Sequence, residues 1–155
     1  MNALRFNSRN TAFVLVLVTL CASVLIASRQ KAPAPAESSQ VQVERGRYVV
    51  EEIAKCTECH TPRNAEFQLD RSRWLQGASI WITPVAPQKD WADYAPALAG
   101  LGGFTDQQIQ RVLEMGQGAN GERIEPPMHI YHMNHADAQA IIAYLRSLPT
   151  PTTHR

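Results

Sequence analysis

The pentapeptide Cys56-Thr57-Glu58-Cys59-His60 constrains this chain more than any other stretch. Two thiols separated by two residues, with an imidazole directly after the second, form the pattern for covalent haem attachment. On one helical turn, positions 56, 59 and 60 stand at i, i+3 and i+4 and share a face. From that face two sulfurs can reach the two vinyl edges of a haem while a ring nitrogen of His60 meets the iron. A zinc module also uses two thiols and a histidine, so the pentapeptide alone leaves both readings open.

The remaining composition narrows the choice. Three cysteines do not make a disulfide framework, and Cys21 sits in an apolar run far from the other two. Charge is balanced, with 15 Lys+Arg against 14 Asp+Glu, and from residue 41 onward we count 11 basic and 13 acidic side chains. With no basic stripe, nucleic acid is excluded as a partner class. Thioether assembly of haem takes place on the export side of a membrane, which sets the expected compartment outside the cytoplasm.

The amino terminus agrees with export. Arg5 and Arg9 precede residues 11–28, a run of 18 residues without charge. That core exceeds the ~7–15 residues of a cleaved signal and reaches the ~17–25 of a spanning helix. Its end is a poor cleavage site, and the better small-x-small triplet, Ala34-Pro35-Ala36, lies well past the core. An uncleaved membrane anchor with residues 1–10 in the cytoplasm is therefore the expectation, a cleaved signal and a free periplasmic protein the alternative. Leu20 before Cys21 does not suit lipid attachment at that thiol. Residues 29–42, rich in Pro, Ala and Ser, read as a semi-extended linker.

The domain expected over residues 43–149 is mainly helical. Tyr48, Val49, Val50 and Ile53 give a helical stripe over 43–54, with Gly46 as a notch for close backbone approach, and this helix is expected to run directly into Cys56. Pro62 stops it. Residues 61–103 show little periodicity and hold all three tryptophans, 74, 81 and 91. So long an irregular stretch argues against a compact domain unless a large apolar ligand supplies core. Trp74, Trp81, Trp91, Tyr94 and Leu98 are candidates to pack on it, ordinary core being the plainer reading of each. Arg71 and Arg73 could meet haem propionates, a solvated loop being the plainer reading there. Thr105 and Gln108 form a capping-box pattern, with Phe104 and Ile109 as a staple, at the start of a helix over 104–115. Gly116-Gln117-Gly118-Ala119-Asn120-Gly121 matches the dinucleotide fingerprint but follows a helix and leads into Pro126-Pro127, so it reads as a turn. Asn134 caps a last helix over 135–148, with Asp137 in its first turn. The six residues 150–155 form a tail. No strand pair is evident.

An iron held by His60 needs a ligand, or a vacancy, on its other face. Met128 follows two prolines whose fixed φ makes a stiff approach, and its thioether suits a haem iron. His129, His132 and His135 are the rivals, for a bis-His haem or for zinc, and an open site would permit enzyme or gas-sensor chemistry.

Taken in order, Gly46-Arg47-Tyr48, the segment Cys56-Thr57-Glu58-Cys59-His60-Thr61-Pro62-Arg63, Phe104-Thr105-Asp106-Gln107-Gln108-Ile109, Pro126-Pro127-Met128 and the run Asp137 to Pro149 resemble the class I cytochromes c. The resemblance covers roughly residues 44–149. It implies three to five helices wrapped around one haem c, preceded here by the N-terminal apolar helix. It further implies covalent attachment at Cys56 and Cys59, His60 as proximal and Met128 as distal iron ligand, and a tight crossing of first and last helices with Gly46 near Tyr144 or Leu145. Its implied role is that of an electron carrier rather than an enzyme, passing electrons to or from a redox protein partner on the periplasmic side of the membrane. Members of this type often accept electrons from periplasmic dehydrogenases. The histidines after Met128 depart from the commonest family pattern.

Overall fold

The computed structural model describes residues 39–151. The chain divides into Met1–Ala36 and Glu37–Arg155. The expected anchor at 11–28, most of the linker and most of the tail thus lie outside the described residues. Among the described residues no helix is long and apolar enough to cross a membrane.

Among the described residues four α-helices carry the fold: α1, Ser39–Tyr48; α2, Thr57–His60; α3, Asp106–Met115; and α4, His135–Ser147. The mainly helical expectation holds. α1 packs most extensively on α4, and α3 crosses α4 beside it. Gly46 makes the first crossing possible. A Cβ there would lie 2.8 Å from the Cβ of Tyr144, 2.5 Å from the carbonyl carbon of Ala140 and closer still to its oxygen. Arg45 Nε donates to Asp137 Oδ1 at 2.7 Å, and Tyr144 Oη donates to Glu51 at 2.5 Å, so polar pairs hold the same crossing. Beneath it lies a cluster that includes Val50, Leu101, Ile109, Leu113, Ile141 and Leu145. Each buried aliphatic side chain contributes about 1.5–3 kcal/mol over an exposed one.

The helix ends follow their cap residues. Thr105 N–H donates to Gln108 Oε1 at 2.9 Å and Gln108 N–H to Thr105 Oγ1 at 3.2 Å, the reciprocal box that starts α3. Gly116, at φ 65°, closes α3 in the left-handed region. Asn134 accepts from Asp137 N–H at 2.9 Å and starts α4. Near the end of α4, Arg146 reaches back to the loop before α3. It donates to the carbonyls of Gly100 (3.0 Å), Leu101 (3.2 Å) and Phe104 (2.7 Å) and pairs with Asp106.

Two sequence expectations need correction. A short antiparallel pair exists, β1 (Ala78–Ser79) with β2 (Tyr94–Ala95), too brief for any alternation pattern to reveal it. And the first helix does not run into Cys56, as described next.

Candidate haem site

After Tyr48 the backbone widens into a π-type turn, Val49–Ile53, in which Ala54 N–H reaches Val49 O at 2.8 Å and Cys56 N–H reaches Val50 O at 3.0 Å. Lys55 then takes φ 52°, a left-handed conformation that costs a non-glycine residue about 1–2 kcal/mol. Helical patterning of the side chains continues through this region, but the backbone breaks. Burial of Val50 and the two long-range amide bonds favour the break. Cys56 becomes the N-cap of a new turn, α2, which ends at Thr61 in extended backbone before Pro62, as the proline requires.

The irregular stretch that follows is organised by hydrogen bonds to that turn. Gly77 N–H donates to His60 O at 2.8 Å, and Leu75 N–H to the buried Thr61 Oγ1 at 3.0 Å. Leu98 and Ala99 N–H both donate to Leu75 O, at 2.8 and 3.0 Å. The buried imidazole of His60 lies 2.7 Å from Pro96 O through Nδ1. A carbonyl has no proton to give, so Nδ1 is the donor and Nε2 keeps its lone pair free. Burial pushes the His60 pKa down, although the Pro96 bond opposes it, and the neutral ring is the form that coordinates a metal. Burial also holds both thiols protonated, Cys56 up to about 11 and Cys59 above its usual value.

Cys56, Cys59, His60 and Met128 line one cavity of about 650 Å³. That volume lies within the ~300–1,000 Å³ of small-molecule sites. Its wall is mostly apolar, with Ile80, Pro96, Phe104, Ile109, Val112 and Ile124 prominent. Two thiols, a neutral imidazole with one free nitrogen and a thioether on such a wall fit a covalently bound haem. Among the described residues no group of three or more His, Cys, Asp or Glu side chains is placed to hold a metal ion. Met128 is brought in by residues 126–128, where the Pro126-Pro127 bond is cis and Pro126 O accepts from Ala92 N–H at 2.7 Å. Of the rival histidines only His129 reaches the cavity wall, packed edge-on to Tyr131 at 5.1 Å. His135 instead lies 2.9 Å from Glu114 on the outside of the α3–α4 pair, and His132 is exposed.

The aromatic expectations divide. Tyr94 lines the cavity; Trp74, Trp81, Trp91 and Leu98 do not. Trp74 and Leu98 pack against the helical core, as in the plainer reading, and Trp74 Nε1 donates to Glu51 at 3.3 Å. Trp81 donates to Glu58 O at 3.3 Å from outside the CTECH turn, and Trp91 to Ile82 O at 3.3 Å. Arg71 stacks on Trp74 with its guanidinium 4.0 Å from the ring centre, and Arg73 pairs with Asp70, so neither reaches the cavity. The basic groups on the wall are Lys55 and Arg123, which no motif in the sequence marks out. Gly116 to Gly121 forms a turn, with Gly118 N–H bonded to Glu122 O at 2.7 Å, as expected.

The cytochrome c family model matches residues 43–149, and the chain belongs to that family. It is 36% identical over 115 residues to the fructose dehydrogenase cytochrome subunit of Gluconobacter japonicus, covering 68% of this chain and 22% of that protein. A diheme cytochrome c-type protein of Cereibacter sphaeroides is 36% identical over 114 residues, 68% of this chain and 35% of its own length. The gluconate 2-dehydrogenase cytochrome c subunit of Pantoea cypripedii is 31% identical over 129 residues, 76% and 29% of the two chains. This chain therefore spans about a fifth to a third of the length of these curated relatives.

Proposed function

We propose that this chain is an electron carrier serving a dehydrogenase or another respiratory partner on the periplasmic side of the inner membrane. In this reading it holds one haem c through Cys56 and Cys59, with His60 and Met128 as axial ligands. The observation that carries the proposal is the meeting of these four side chains on one largely apolar cavity wall. Bound there, a haem supplies a one-electron redox centre. The chain's own residues do the rest. Pro96 O fixes the tautomer of His60, so Nε2 is the nitrogen offered. Met128 offers a soft sulfur, which favours a higher reduction potential than a second imidazole would. The wall is largely apolar, and His60 and Met128 together would leave a bound haem with no free iron position for a substrate. The names of the relatives, cytochrome subunits of fructose and gluconate dehydrogenases, support a dehydrogenase as donor. Residues 11–28 would tether the domain; mass spectrometry of the mature chain separates a retained anchor from a cleaved signal.

Met128→Leu tests the ligand assignment. The far-red iron–thioether absorption band is expected in the parent and absent in the variant, and the reduced parent is expected to resist carbon monoxide while the variant binds it. Survival of the band in the variant would remove Met128 from the iron. Rapid carbon monoxide binding by the parent at neutral pH would replace the carrier with an enzyme or sensor having a displaceable ligand.

A further inference from the structure

On the outer side of the CTECH turn lies a second hollow, of about 370 Å³, which shares Tyr94 with the first cavity. Three large rings stand around it in solvent: Phe67 is 58% exposed, Trp81 49% and Tyr94 57%. Isolated exposed aromatics are ordinary on a protein surface, but three around one concavity are not. Two arginines, Arg63 and Arg73, complete the wall, and among the described residues no carboxylate lines it. Aromatic residues and arginine are the types enriched where proteins meet.

The arginine donors are only partly used. Arg63 lies 4.7 Å from the Phe67 ring centre and 4.8 Å from that of Trp81, and the two rings meet edge to face at 5.6 Å. One terminal nitrogen of Arg63 donates to Phe67 O at 3.0 Å and the other to Glu58 at 2.7 Å. Its Nε is buried without a hydrogen-bond partner among the described residues. Arg73 uses Nε on Asp70 at 2.7 Å. Glu58 and Asp70 therefore offset part of the positive charge from outside the hollow, while the wall itself offers donors and no acceptor charge. Arg63 Nε is closed to a partner, so the donors open to one are the terminal nitrogens of Arg73, whose side chain is 53% exposed, and a carboxylate oxygen is the group that suits them best. Position matters as well. Trp81 is bonded to Glu58 O, between the two cysteines of the turn, so the hollow adjoins the turn that carries the proposed haem attachment.

We infer that this aromatic hollow is the docking site for an acidic side chain of the redox-partner protein, received by Arg73 between Phe67, Trp81 and Tyr94, with Arg63 holding the Phe67 and Trp81 rings in place. The inference rests on the carrier reading but is tested separately from it. The full-chain, haem-loaded protein in its reduced state is titrated with acetyl-Gly-Glu-Asp-Glu-Gly-amide, and with the same peptide carrying Gln and Asn, while side-chain NMR signals of Arg73 and Trp81 are followed. Saturable shifts with the acidic peptide only are expected. Arg73→Gln, which gives up one exposed ion pair, is expected to weaken binding by about tenfold, the worth of one charge-assisted hydrogen bond. Arg63→Lys is expected to do so as well, and Lys89→Gln, outside the hollow, to have no effect. Arg73→Gln should also slow reduction by native membranes and leave reduction by dithionite unchanged. Equal response to both peptides, or to acetate as strongly as to the acidic peptide, or membrane reduction unaffected by Arg73→Gln, would overturn the inference. The Met128→Leu spectrum decides the carrier reading, so the two failures are distinguishable.

Discussion

Gly46→Ala tests the helix crossing on which the domain is built. In an isolated helix the change would help, since alanine is favoured over glycine by about 1 kcal/mol. Here the new methyl would lie 2.5 Å from the carbonyl carbon of Ala140 and 2.8 Å from the Cβ of Tyr144. Ordinary carbon contacts start near 3.5 Å, so α1 and α4 must separate by roughly 1 Å. The obstacle is a peptide group inside a helix, which no side-chain rotation relieves. Overpacking of this kind costs about 1–3 kcal/mol, and a backbone obstacle belongs at the upper end. Net of the helix preference, about 2 kcal/mol should be lost. For a domain near 100 residues that corresponds to a fall of about 10 °C in Tm. Separation of the helices would also stretch the Arg45–Asp137 and Tyr144–Glu51 pairs. The assay is thermal unfolding of the haem-loaded protein followed by far-ultraviolet circular dichroism. Adding Ala140→Gly should not rescue the variant, because the clash is with the Ala140 peptide rather than its methyl. A Tm equal to or above the parent's would refute the crossing geometry.

Two further outcomes follow from bonds described above. Arg146→Ala should lower the urea midpoint by the equivalent of about 1–2 kcal/mol, since three carbonyls of the loop before α3 lose their shared donor. Arg146→Lys should recover less than half of that, because one ammonium cannot span the three; full recovery would show that charge alone matters. The Asp70 carboxylate is held down to about 2, first by Ser72 Oγ–H and then by Arg73. A carboxylate depressed in the folded state contributes stability above its unfolded pKa, and that contribution is lost as pH falls from near 4 toward 2. Carboxyl NMR should find the Asp70 midpoint near 2, and Ser72→Ala should raise it; a midpoint near 4 in the parent would remove the bonds from solution.

The elements legible in the sequence were those whose determinants are local. The capping box at Thr105, the N-cap at Asn134 and the stop at Gly116 involve partners within a few residues, and α3 and α4 begin and end accordingly. Gly46 was legible because a glycine inside an apolar helical stripe weakens the helix unless a neighbouring backbone needs the space. The break at Lys55 was not. It depends on amides reaching back five and six residues and on burial of Val50, neither of which leaves a mark in side-chain periodicity. Grouping the tryptophans around a ligand failed for a related reason. Their chemistry suits a ligand wall, a core or a surface equally, and contacts with distant residues such as Glu51 and Glu58 decide which. The role of the irregular stretch was legible only in part. It does need an organising body, but much of that body is the CTECH turn itself, through His60 O, Thr61 Oγ1 and the His60 ring.

The hydroxyl of Tyr131 donates to Ala54 O at 2.9 Å. Tyr131 stands three residues beyond Met128, and Ala54 two residues before Cys56. One ring thus acts as a strut between the loop that bears the thioether and the turn that bears the thiols and imidazole. The gap between those two walls is then set by the length of a rigid side chain, not by the sum of some seventy intervening residues. Fluctuations elsewhere in the long loops can pass without altering it. With the proposed haem in that gap, a fixed gap would mean little nuclear rearrangement at each change of charge. On the proposed reading the phenol would protect the rate of electron transfer, and removing its hydroxyl would loosen the site without touching any of the four side chains proposed to hold the haem.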